Sequence, residues 1–367
     1  MDCDLLNLWL GMMPGITNIV MGKILDFFGG ARALWEADEK DIKENLTETR
    51  SSSILKTRDI NKIIDYKKRL AERDITYIYP GHKYFPEVLL DIPDCPRLLY
   101  ARGRVSELNS ERTGIAVVGA RKASIYGREA AASFAKQLSY CNTSIISGMA
   151  SGIDSCAHRA ALENPDGFTI AVLGCGINVC YPRENYELYE EIKKRGVILS
   201  EYGLDVPPEA WRFPYRNRII SGLAKGVIVV EARERSGSLI TADQALEQGR
   251  DVYAVPGRID DVNSRGCNNL IKQGACCVTE PLDIINDMGL STEKKPENDD
   301  LKIKLANMNI NEKKIYNAID GETSHIESIC MKSGLKAPEV LEILFDLEKN
   351  KIIKQPDKGY FIKCEVK

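Results

Sequence analysis

The stretch IAVVGARKASIYGREAAASFAKQLSYCNTSIISGMASGID, residues 115–154, decides the fold of this chain. It begins with an apolar, β-branched run at Ile115–Val118, continues as a helical stretch over Arg128–Tyr140, and returns to a second apolar run at Ser144–Ser147. Strands that read as near-continuous apolar runs are buried on both faces, as in a parallel sheet. The stretch therefore predicts a strand–helix–strand unit of an α/β core.

The same alternation continues on the carboxyl side of this stretch. Further strands are expected at Thr169–Leu173, Val197–Ser200, Val227–Glu231, Val252–Val255 and Ala275–Thr279, and an edge strand at Arg97–Tyr100. Helices are expected at Ile153–Glu163, Asn185–Arg195, Arg218–Ala224, Leu239–Gln248 and Asn268–Gln273. This pattern predicts a doubly wound, extended Rossmann-like core with a parallel-rich sheet over residues 76–290.

Different patterns flank the predicted core. Residues 1–75 read as short helices punctuated by Pro14-Gly15 and Gly29-Gly30, which resembles a SAM-like or helix-hairpin-helix domain. Residues 291–300 are polar throughout and have the composition of a linker. Residues 301–367 read as three helices and a β-hairpin, the pattern of a winged-helix domain.

Composition limits the classes of function. The chain has 367 residues and a formal net charge of −3, so any positive surface for nucleic acid must be local. Its first 15 residues carry no basic residue, and no apolar run approaches the ~18–20 residues of a membrane span. The 11 cysteines show no ligand-type spacing and read as reduced thiols. We therefore expect a soluble cytoplasmic protein without a metal.

Two glycine-rich loops follow the first two core strands, at the strand ends where doubly wound sheets bind ligands. We expect both to contact anions through backbone donors at the start of the next helix. The candidate residues are Gly119, Arg121, Ser124 and Tyr126 in the first loop and Ser147, Gly148 and Gly152 in the second. Asp154 is interpreted as a capping or bracing residue, and His158 as a structural one.

A run of aromatic and basic residues, Trp211–Arg218, contains three Arg and three aromatics and no acid. Aromatic rings can stack on any base and interleaved arginines can neutralise phosphates, although a solvated loop with packed aromatics would read similarly. A later turn places three hydroxyl residues around a glycine at a helix start. The candidates in these two segments are Phe213, Arg216, Asn217, Arg218, Ser221, Ser236, Gly237, Ser238 and Thr241.

Motifs of catalysis are missing from the sequence. It contains no Walker A loop, nucleophile elbow or metal cluster, and Val179 stands where a dinucleotide fingerprint would need its third glycine. Several anion-type turns along one sheet edge suit a polyanion better than one nucleotide. We therefore expect a single-stranded-DNA groove without a catalytic centre or cofactor.

Three blocks of sequence resemble the DNA-processing protein A family (DprA, also called Smf). They are Gly119-x-Arg121-x-x-Ser124-x-Tyr126-Gly127, Ser147-Gly148-x-Ala150-x-Gly152-Ile153-Asp154 and Phe213-Pro214-x-Arg216-Asn217-Arg218-Ile219-Ile220-Ser221-Gly222. The block Ser236-Gly237-Ser238-Leu239-Ile240-Thr241-Ala242 and the segment Ala254-Val255-Pro256-Gly257 fit as well. Asp94-Cys95-Pro96 and Gly203 depart from the family pattern, and neither is expected to touch the groove.

The resemblance implies a non-enzymatic protein that binds and protects single-stranded DNA entering by natural transformation and loads the RecA recombinase onto it. It also implies a homodimer, with Arg121 as a central phosphate contact. The alternative from another class is a nucleotide-phosphate hydrolase on a related Rossmann-like scaffold. That class carries a glutamate after the threonine of its glycine-rich motif, and no glutamate follows Thr241 at the expected place.

The last long helix of the chain, expected at Lys336–Asn350, carries Glu339, Glu342, Asp346 and Glu348. A helix of net negative charge is repelled by phosphate. The C-terminal module is therefore predicted to serve protein contact or accessory binding rather than sequence readout. Deleting residues 301–367 is expected to leave single-strand affinity nearly intact.

Overall fold

The computed structural model describes residues 1–291, 308–319, 323–350 and 352–363. The chain divides into two compact units, Met1–Thr292 and Glu293–Lys367. Most of the predicted linker, residues 291–300, lies outside the described residues, and the predicted domain boundaries remain predictions. No helix among the described residues is both long and apolar enough to cross a bilayer.

The first unit contains a nine-stranded sheet. Its strands are β1 (Thr76–Ile78), β2 (Leu99–Gly103), β3 (Thr113–Val118), β4 (Thr143–Ser147), β5 (Phe168–Leu173), β6 (Val197–Ser200), β7 (Gly226–Val229), β8 (Asp251–Ala254) and β9 (Cys276–Cys277). The helices after β2 are α7 (Ile125–Ser139), α8 (Ile153–Glu163), α9 (Tyr186–Arg195), α10 (Arg212–Leu223), α11 (Gly237–Glu247), α12 (Arg265–Lys272) and α13 (Pro281–Asp287). This is the predicted mixed α/β architecture.

The strand order is β1-β2-β6-β5-β4-β3-β7-β8-β9. The seven strands from β6 to β9 in this order are parallel, whereas β2 pairs antiparallel with β1 and with β6. The edge assignment of Arg97–Tyr100 was wrong, because the strand there is interior and β1 lies outside it. The chain order reverses between β3 and β7, and a ligand crevice forms at such a switch point in open α/β sheets.

Side chains of the central strands alternate between two apolar layers. Ala116 and Val118 pack into one core, while Ile115 and Val117 pack into the other. Because successive side chains of a strand point to opposite faces, a continuous apolar run is required where helices cover both sides. The predicted strands therefore coincide with the observed ones to within two residues at each end, except β2, which ends at Gly103, three residues beyond the predicted end at Tyr100.

Six helices precede the sheet: α1 (Cys3–Gly11), α2 (Asn18–Phe28), α3 (Ala31–Glu36), α4 (Glu39–Asn45), α5 (Glu48–Thr57) and α6 (Ile60–Ala71). Their apolar residues share one core with the sheet, in which Trp9 and Leu34 belong to the same cluster as Tyr100 and Ile198. Trp9 also donates its indole N–H to Thr57 Oγ1 at 3.1 Å. The N-terminal region is helical as predicted, and its SAM-like assignment remains a prediction.

The second unit has its own core. Its helices are α14 (Ile310–Ala318), α15 (Ile326–Ser333) and α16 (Ala337–Lys349), and its strands are β10 (Ser324–His325), β11 (Ile353–Asp357) and β12 (Tyr360–Lys363). The strands form an antiparallel sheet in the order β10-β12-β11. Ile315, Ile329, Leu344 and Phe361 meet in the apolar centre. The hairpin and three helices lie where the sequence placed them, and the winged-helix assignment remains a prediction.

His158 of α8 gives a testable pH dependence of stability. It is fully buried, and its Nδ1 lies 2.6 Å from Thr169 Oγ1, whose own proton goes to Ile145 O. Burial, assisted by Arg216 and Arg159, lowers the pKa of His158 to about 3. An unfolded histidine has a pKa of about 6.5, so protons favour the unfolded chain as the pH falls below that value.

We expect the free energy of unfolding to fall by up to about 1.4 kcal/mol per pH unit from this group between about pH 6 and pH 4. Urea unfolding of the wild type and of His158→Gln across that range measures the difference in slope. The glutamine variant should show the shallower dependence. Equal slopes would mean that His158 does not contribute.

Candidate nucleic-acid interface

The loop between β3 and α7 carries Arg121 and Lys122, both exposed. Neither cation has a carboxylate within ion-pair distance among residues 1–291. The next polar residue, Ser124, faces inward: its amide donates to Glu231 Oε2 at 2.9 Å and its hydroxyl bonds the other oxygen of that carboxylate. Ser124 also caps α7 by accepting from the Gly127 amide at 3.0 Å. The predicted anion donors at this helix start are therefore occupied by an internal carboxylate.

In the same segment, Tyr126 is exposed to solvent, whereas Gly119 packs against α8. The Tyr126 ring is exposed, and its hydroxyl donates to Pro256 O at 2.8 Å. A Cβ atom at Gly119 would lie 2.7 Å from an Ile153 side-chain atom, so this glycine allows α8 to approach the loop. Of the four predicted contacts in this loop, the structure leaves Arg121 and the Tyr126 ring open to solvent.

The loop between β4 and α8 is also satisfied internally. Ser147 is fully buried and donates its hydroxyl to Val117 O at 2.6 Å. The amides of Gly148 and Ala150 donate to Asp154 Oδ2 at 3.1 and 3.3 Å. Asp154 thus braces the loop, as the sequence indicated, and burial raises the pKa of its carboxyl group. The predicted phosphate donors of this loop are in use within the protein.

Gly152 supports the loop between β3 and α7, which carries Arg121 and which we call the arginine loop, rather than a ligand. Its φ of +80° lies in the left-handed region, and a Cβ atom there would come within 2.3 Å of Ala120 O and 2.5 Å of Arg121 O. Only glycine meets both demands without strain. The second loop therefore presses against the first and fixes the backbone from which Arg121 projects.

The aromatic–basic run folds as the first part of α10, which begins at Arg212 rather than at the predicted Arg218. Phe213 is half-buried beside Gly174, where a Cβ atom would come within 2.7 Å of its ring. The Arg121 guanidinium lies 5.0 Å from the Phe213 ring centroid, and the Tyr181 ring lies 5.6 Å away at 34°. We call Arg121, Tyr181 and Phe213 the arginine–aromatic cluster.

Tyr181 was missed by sequence reasoning. It lies before Pro182 in the connection after β5 and is exposed. Its ring lies 5.6 Å from the Phe213 ring, and exposed aromatic rings stack on nucleic-acid bases. The signal available in the sequence was an aromatic residue in a loop at the carboxyl end of a core strand.

Arg216 is buried beneath this cluster instead of reaching solvent. Its Nη1 donates to Gly148 O at 2.9 Å and also bonds Val172 O. Burial lowers its pKa to about 10, although Asp154 acts in the opposite direction. The guanidinium therefore ties the second loop to the end of β5 and cannot itself contact a phosphate in this arrangement.

Arg218 is a second internal brace. It is 5% exposed, and it donates from Nε to Asp94 Oδ2 at 2.8 Å and from Nη2 to Glu201 Oε1 at 2.7 Å. The two carboxylates raise its pKa well above the ordinary value despite burial. Asn18 of α2 donates to the same Glu201 oxygen at 2.8 Å. Arg218 thus joins the N-terminal helices, the Asp94 loop and α10, contrary to its predicted place at the DNA.

The turn that opens α11 is the third predicted anion site. Ser236 caps the helix by accepting from the Ser238 amide at 3.4 Å, and no carboxylate of residues 1–291 bonds the amides of this turn. Gly237 is exposed with open space around it, and its carbonyl accepts from Asn217 Nδ2 at 3.2 Å. Ser221 and Thr241 are buried, and the Ser221 hydroxyl lies 3.3 Å from the carbonyl oxygens of Asn217 and Arg218 within α10. Of the three turns, this one keeps its helix N-terminus open to an anion.

Glu231 offers a test of how the arginine loop is held. Replacing it with glutamine removes the charge that accepts both donors of Ser124, at an expected cost of about 1–3 kcal/mol in unfolding free energy. Loosening of the loop should also weaken the single-stranded-DNA binding that the sequence predicts for Arg121. Urea unfolding and oligonucleotide affinity give the two readouts. The matched control is Glu234→Gln, an exposed carboxylate three residues away, which should change neither.

Groups that would support metal chemistry do not occur among the described residues: no three His, Cys, Asp or Glu side chains converge there. The arginine–aromatic cluster instead places positive charge and aromatic rings at the carboxyl edge of the sheet. The fold defines an α/β protein with a parallel-rich sheet, and the arginine–aromatic cluster lies near its topological switch point, the place where such sheets bind ligands.

Within that class, the chain belongs to the family described as DNA recombination-mediator protein A, whose model matches residues 76–289. It is 38% identical to Protein Smf of Escherichia coli over 306 residues, which cover 80% of this chain and 81% of that protein. It is 46% identical to DNA processing protein DprA of Streptococcus pneumoniae over 201 residues, which cover 55% and 70%.

Solved structures agree with the family. The X-ray structure of DNA processing protein A from Streptococcus pneumoniae aligns with a TM-score of 0.68 at 34% identity, covering 80% of this chain and all of that one. DNA processing protein A from Helicobacter pylori, a structure reported for its single-stranded DNA binding mode, aligns with a TM-score of 0.53 at 28% identity, covering 58% of this chain and 95% of that one.

Proposed function

We propose that this chain binds single-stranded DNA along the carboxyl edge of its sheet. The observation that carries the proposal is the arginine–aromatic cluster: an exposed guanidinium that has no carboxylate partner among residues 1–291 and lies against an aromatic ring near the switch point. Phosphate oxygens would bind Arg121 and Lys122, and bases would stack on Phe213 and Tyr181. Membership of a recombination-mediator family supports this assignment.

The open N-terminus of α11 would receive a further phosphate. Its first turn contains no acidic residue, and the exposed amide of Gly237 adds to the positive end of the helix dipole. Five of the residues that the sequence motifs suggested are buried, and in this proposal they support the site without contacting DNA: Ser147, Arg216, Arg218, Ser221 and Thr241. The candidate DNA contacts are therefore fewer than the sequence motifs suggested.

Salt dependence tests the proposed mode of binding. We expect the affinity for a labelled oligothymidine to fall linearly on a log–log plot of salt, with a slope near −0.7 for each phosphate contacted. A mixed-sequence strand should bind with similar affinity, because stacking is tolerant of sequence. Fluorescence anisotropy between about 50 and 300 mM salt measures this. Salt-independent binding, or release of free base from nucleoside monophosphates, would contradict the proposal.

We further propose that the DNA-bound protein is a cytoplasmic homodimer that protects incoming strands and loads RecA in natural transformation. The relatives named DNA processing protein and the description of the family as a recombination mediator support this role. A RecA strand-exchange assay on DNA already covered by single-strand-binding protein tests it. Addition of the full-length chain should shorten the lag before exchange, and an unchanged lag would contradict the RecA step.

A further inference from the structure

Helix α16 presents two different rows of side chains. Val340, Leu344 and Leu347 are buried in the core of the second unit. Leu341 and Phe345, by contrast, are 53% and 67% exposed. Residues four apart are neighbours on a helix surface, so these two form one continuous apolar stripe. A large exposed aromatic beside an exposed leucine is typical of a binding surface rather than of a free one.

An acidic row lies beside this stripe. Glu342 and Asp346 each follow one residue after an apolar member, and both are exposed. Neither forms an ion pair with any of the described residues. The helix as a whole holds four carboxylates and one lysine, Lys349. The stripe is therefore bordered by carboxylates that no described residue neutralises.

The start of α16 is poor in the groups that a DNA-reading helix uses. Its first turn consists of Ala337, Pro338 and Glu339, so proline removes one backbone donor, and the exposed N-cap residue Lys336 stands against four carboxylates of the helix. Glu339 is already bonded, accepting from Asn311 Nδ2 at 2.8 Å. A third helix that enters the major groove contacts bases through its N-terminal residues. The acidic row would meet phosphates of the same sign, and this disfavours nucleic acid as the occupant.

A second copy of the same surface is also disfavoured. In a twofold contact the patch faces its own equivalent, so the acidic rows of both copies would lie in one interface. Like charges brought together across an interface destabilise it. A partner with apolar side chains flanked by lysine or arginine satisfies both rows at once.

We infer that the α16 stripe, Leu341 and Phe345 with the row Glu342 and Asp346, is a docking surface for a basic, amphipathic segment of another protein. Phe345 is the anchor, since a central aromatic side chain contributes most to such contacts. The acidic row selects against acidic partners and speeds the encounter with basic ones. This role is separate from the DNA edge of the first unit.

The test uses the full-length chain and two synthetic peptides of about 18 residues, long enough to form a helix. One is composed of leucine and lysine at amphipathic spacing, and the matched one carries glutamate in place of lysine. We expect the lysine peptide alone to bind, as measured by fluorescence anisotropy. Phe345→Ala should weaken it by about tenfold or more, and the double change Glu342→Lys with Asp346→Lys should weaken it as well.

Two control variants separate this surface from general acidity and stickiness. Met331→Ala removes another highly exposed apolar side chain of the second unit, and Glu327→Lys reverses an exposed carboxylate there. Both should leave peptide binding unchanged, and thermal unfolding should show all variants folded. Failure of the lysine peptide to bind, or equal losses in the controls, would overturn the inference.

Two further outcomes would assign the surface to another occupant and so overturn the inference. A loss of DNA affinity in Phe345→Ala would make α16 a nucleic-acid face. A shift of oligomeric state in Phe345→Ala, seen by sedimentation, would make it a contact between copies of this chain.

Discussion

Alanine in place of Arg121 is expected to lower the affinity for single-stranded DNA by about 10- to 100-fold at low salt. A charge-assisted hydrogen bond contributes about 1.5–3 kcal/mol, and each 1.4 kcal/mol is a factor of ten. Arg121 has no carboxylate among residues 1–291 to neutralise it, so its full charge is available to phosphate. The loss should be similar for every sequence, and the salt slope should become shallower by about 0.7.

The matched control is Lys194→Ala. Lys194 is an equally exposed cation at the end of α9. The next strand, β6, starts after that turn, so Lys194 lies at the opposite, amino edge of the sheet. It should leave both the affinity and the salt slope unchanged. If the two variants lose affinity alike, binding depends on general charge and the groove lies elsewhere.

Coupling between Arg121 and Phe213 gives a second readout of the same site. The guanidinium lies over the ring at 5.0 Å, so the ring holds the cation in place for phosphate, and loss of either side chain disturbs the same site. The losses from Arg121→Ala and Phe213→Ala should therefore not add in the double variant. Full additivity would mean that the two residues bind DNA independently.

The core was predictable because its strands must be apolar on both faces. Runs such as Ile115–Val118 are apolar at every position, so they do not fit a strand with one face in solvent. Glycine-rich turns mark where each run ends. The antiparallel part of the sheet was harder to predict from the sequence, because the pairing of β2 with β6 joins residues about 100 positions apart. Periodicity within one strand carries no information about such partners.

The burial of two arginines was beyond the reach of sequence reasoning. Charged residues are rarely buried unless paired, and the partners of Arg218 are Asp94 and Glu201, which lie in other segments. Asp94 belongs to a stretch that departs from the family pattern and was expected to stay away from this region. Pro214 also obscured α10, although proline in the first turn of a helix loses no hydrogen bond.

The sequence also could not show that the donors of the first two loops are already bonded to carboxylates of the protein. A motif such as Gly119–Gly127 shows which backbone donors exist, but not what already accepts from them. Ser124 is separated from Glu231 by 107 positions, and only the fold brings the two together at the switch point. Asp154 was identifiable as a brace because it lies four residues from the Ala150 amide that it accepts from.

Methionine in place of Arg218 is expected to destabilise the first unit by about 3–5 kcal/mol. Removing one partner of a buried ion pair leaves an uncompensated charge, and here it leaves two, on Asp94 and Glu201. Arg258→Met is the control, because that arginine pairs with Asp260 on the surface, and urea unfolding should show no measurable change for it. Adding Asp94→Asn and Glu201→Gln to the Arg218 variant should restore part of the lost stability.

DNA affinity separates a brace from a contact. Because Arg218 is enclosed by Asp94, Glu201 and the Tyr215 ring, 4.2 Å from its guanidinium, it has no path to phosphate while α10 is folded. At a temperature where Arg218→Met remains folded, it should keep the salt slope of the wild type, whereas Arg121→Ala should not. A shallower salt dependence of affinity in Arg218→Met would mean that Arg218 contacts the DNA, and would require α10 to rearrange on binding.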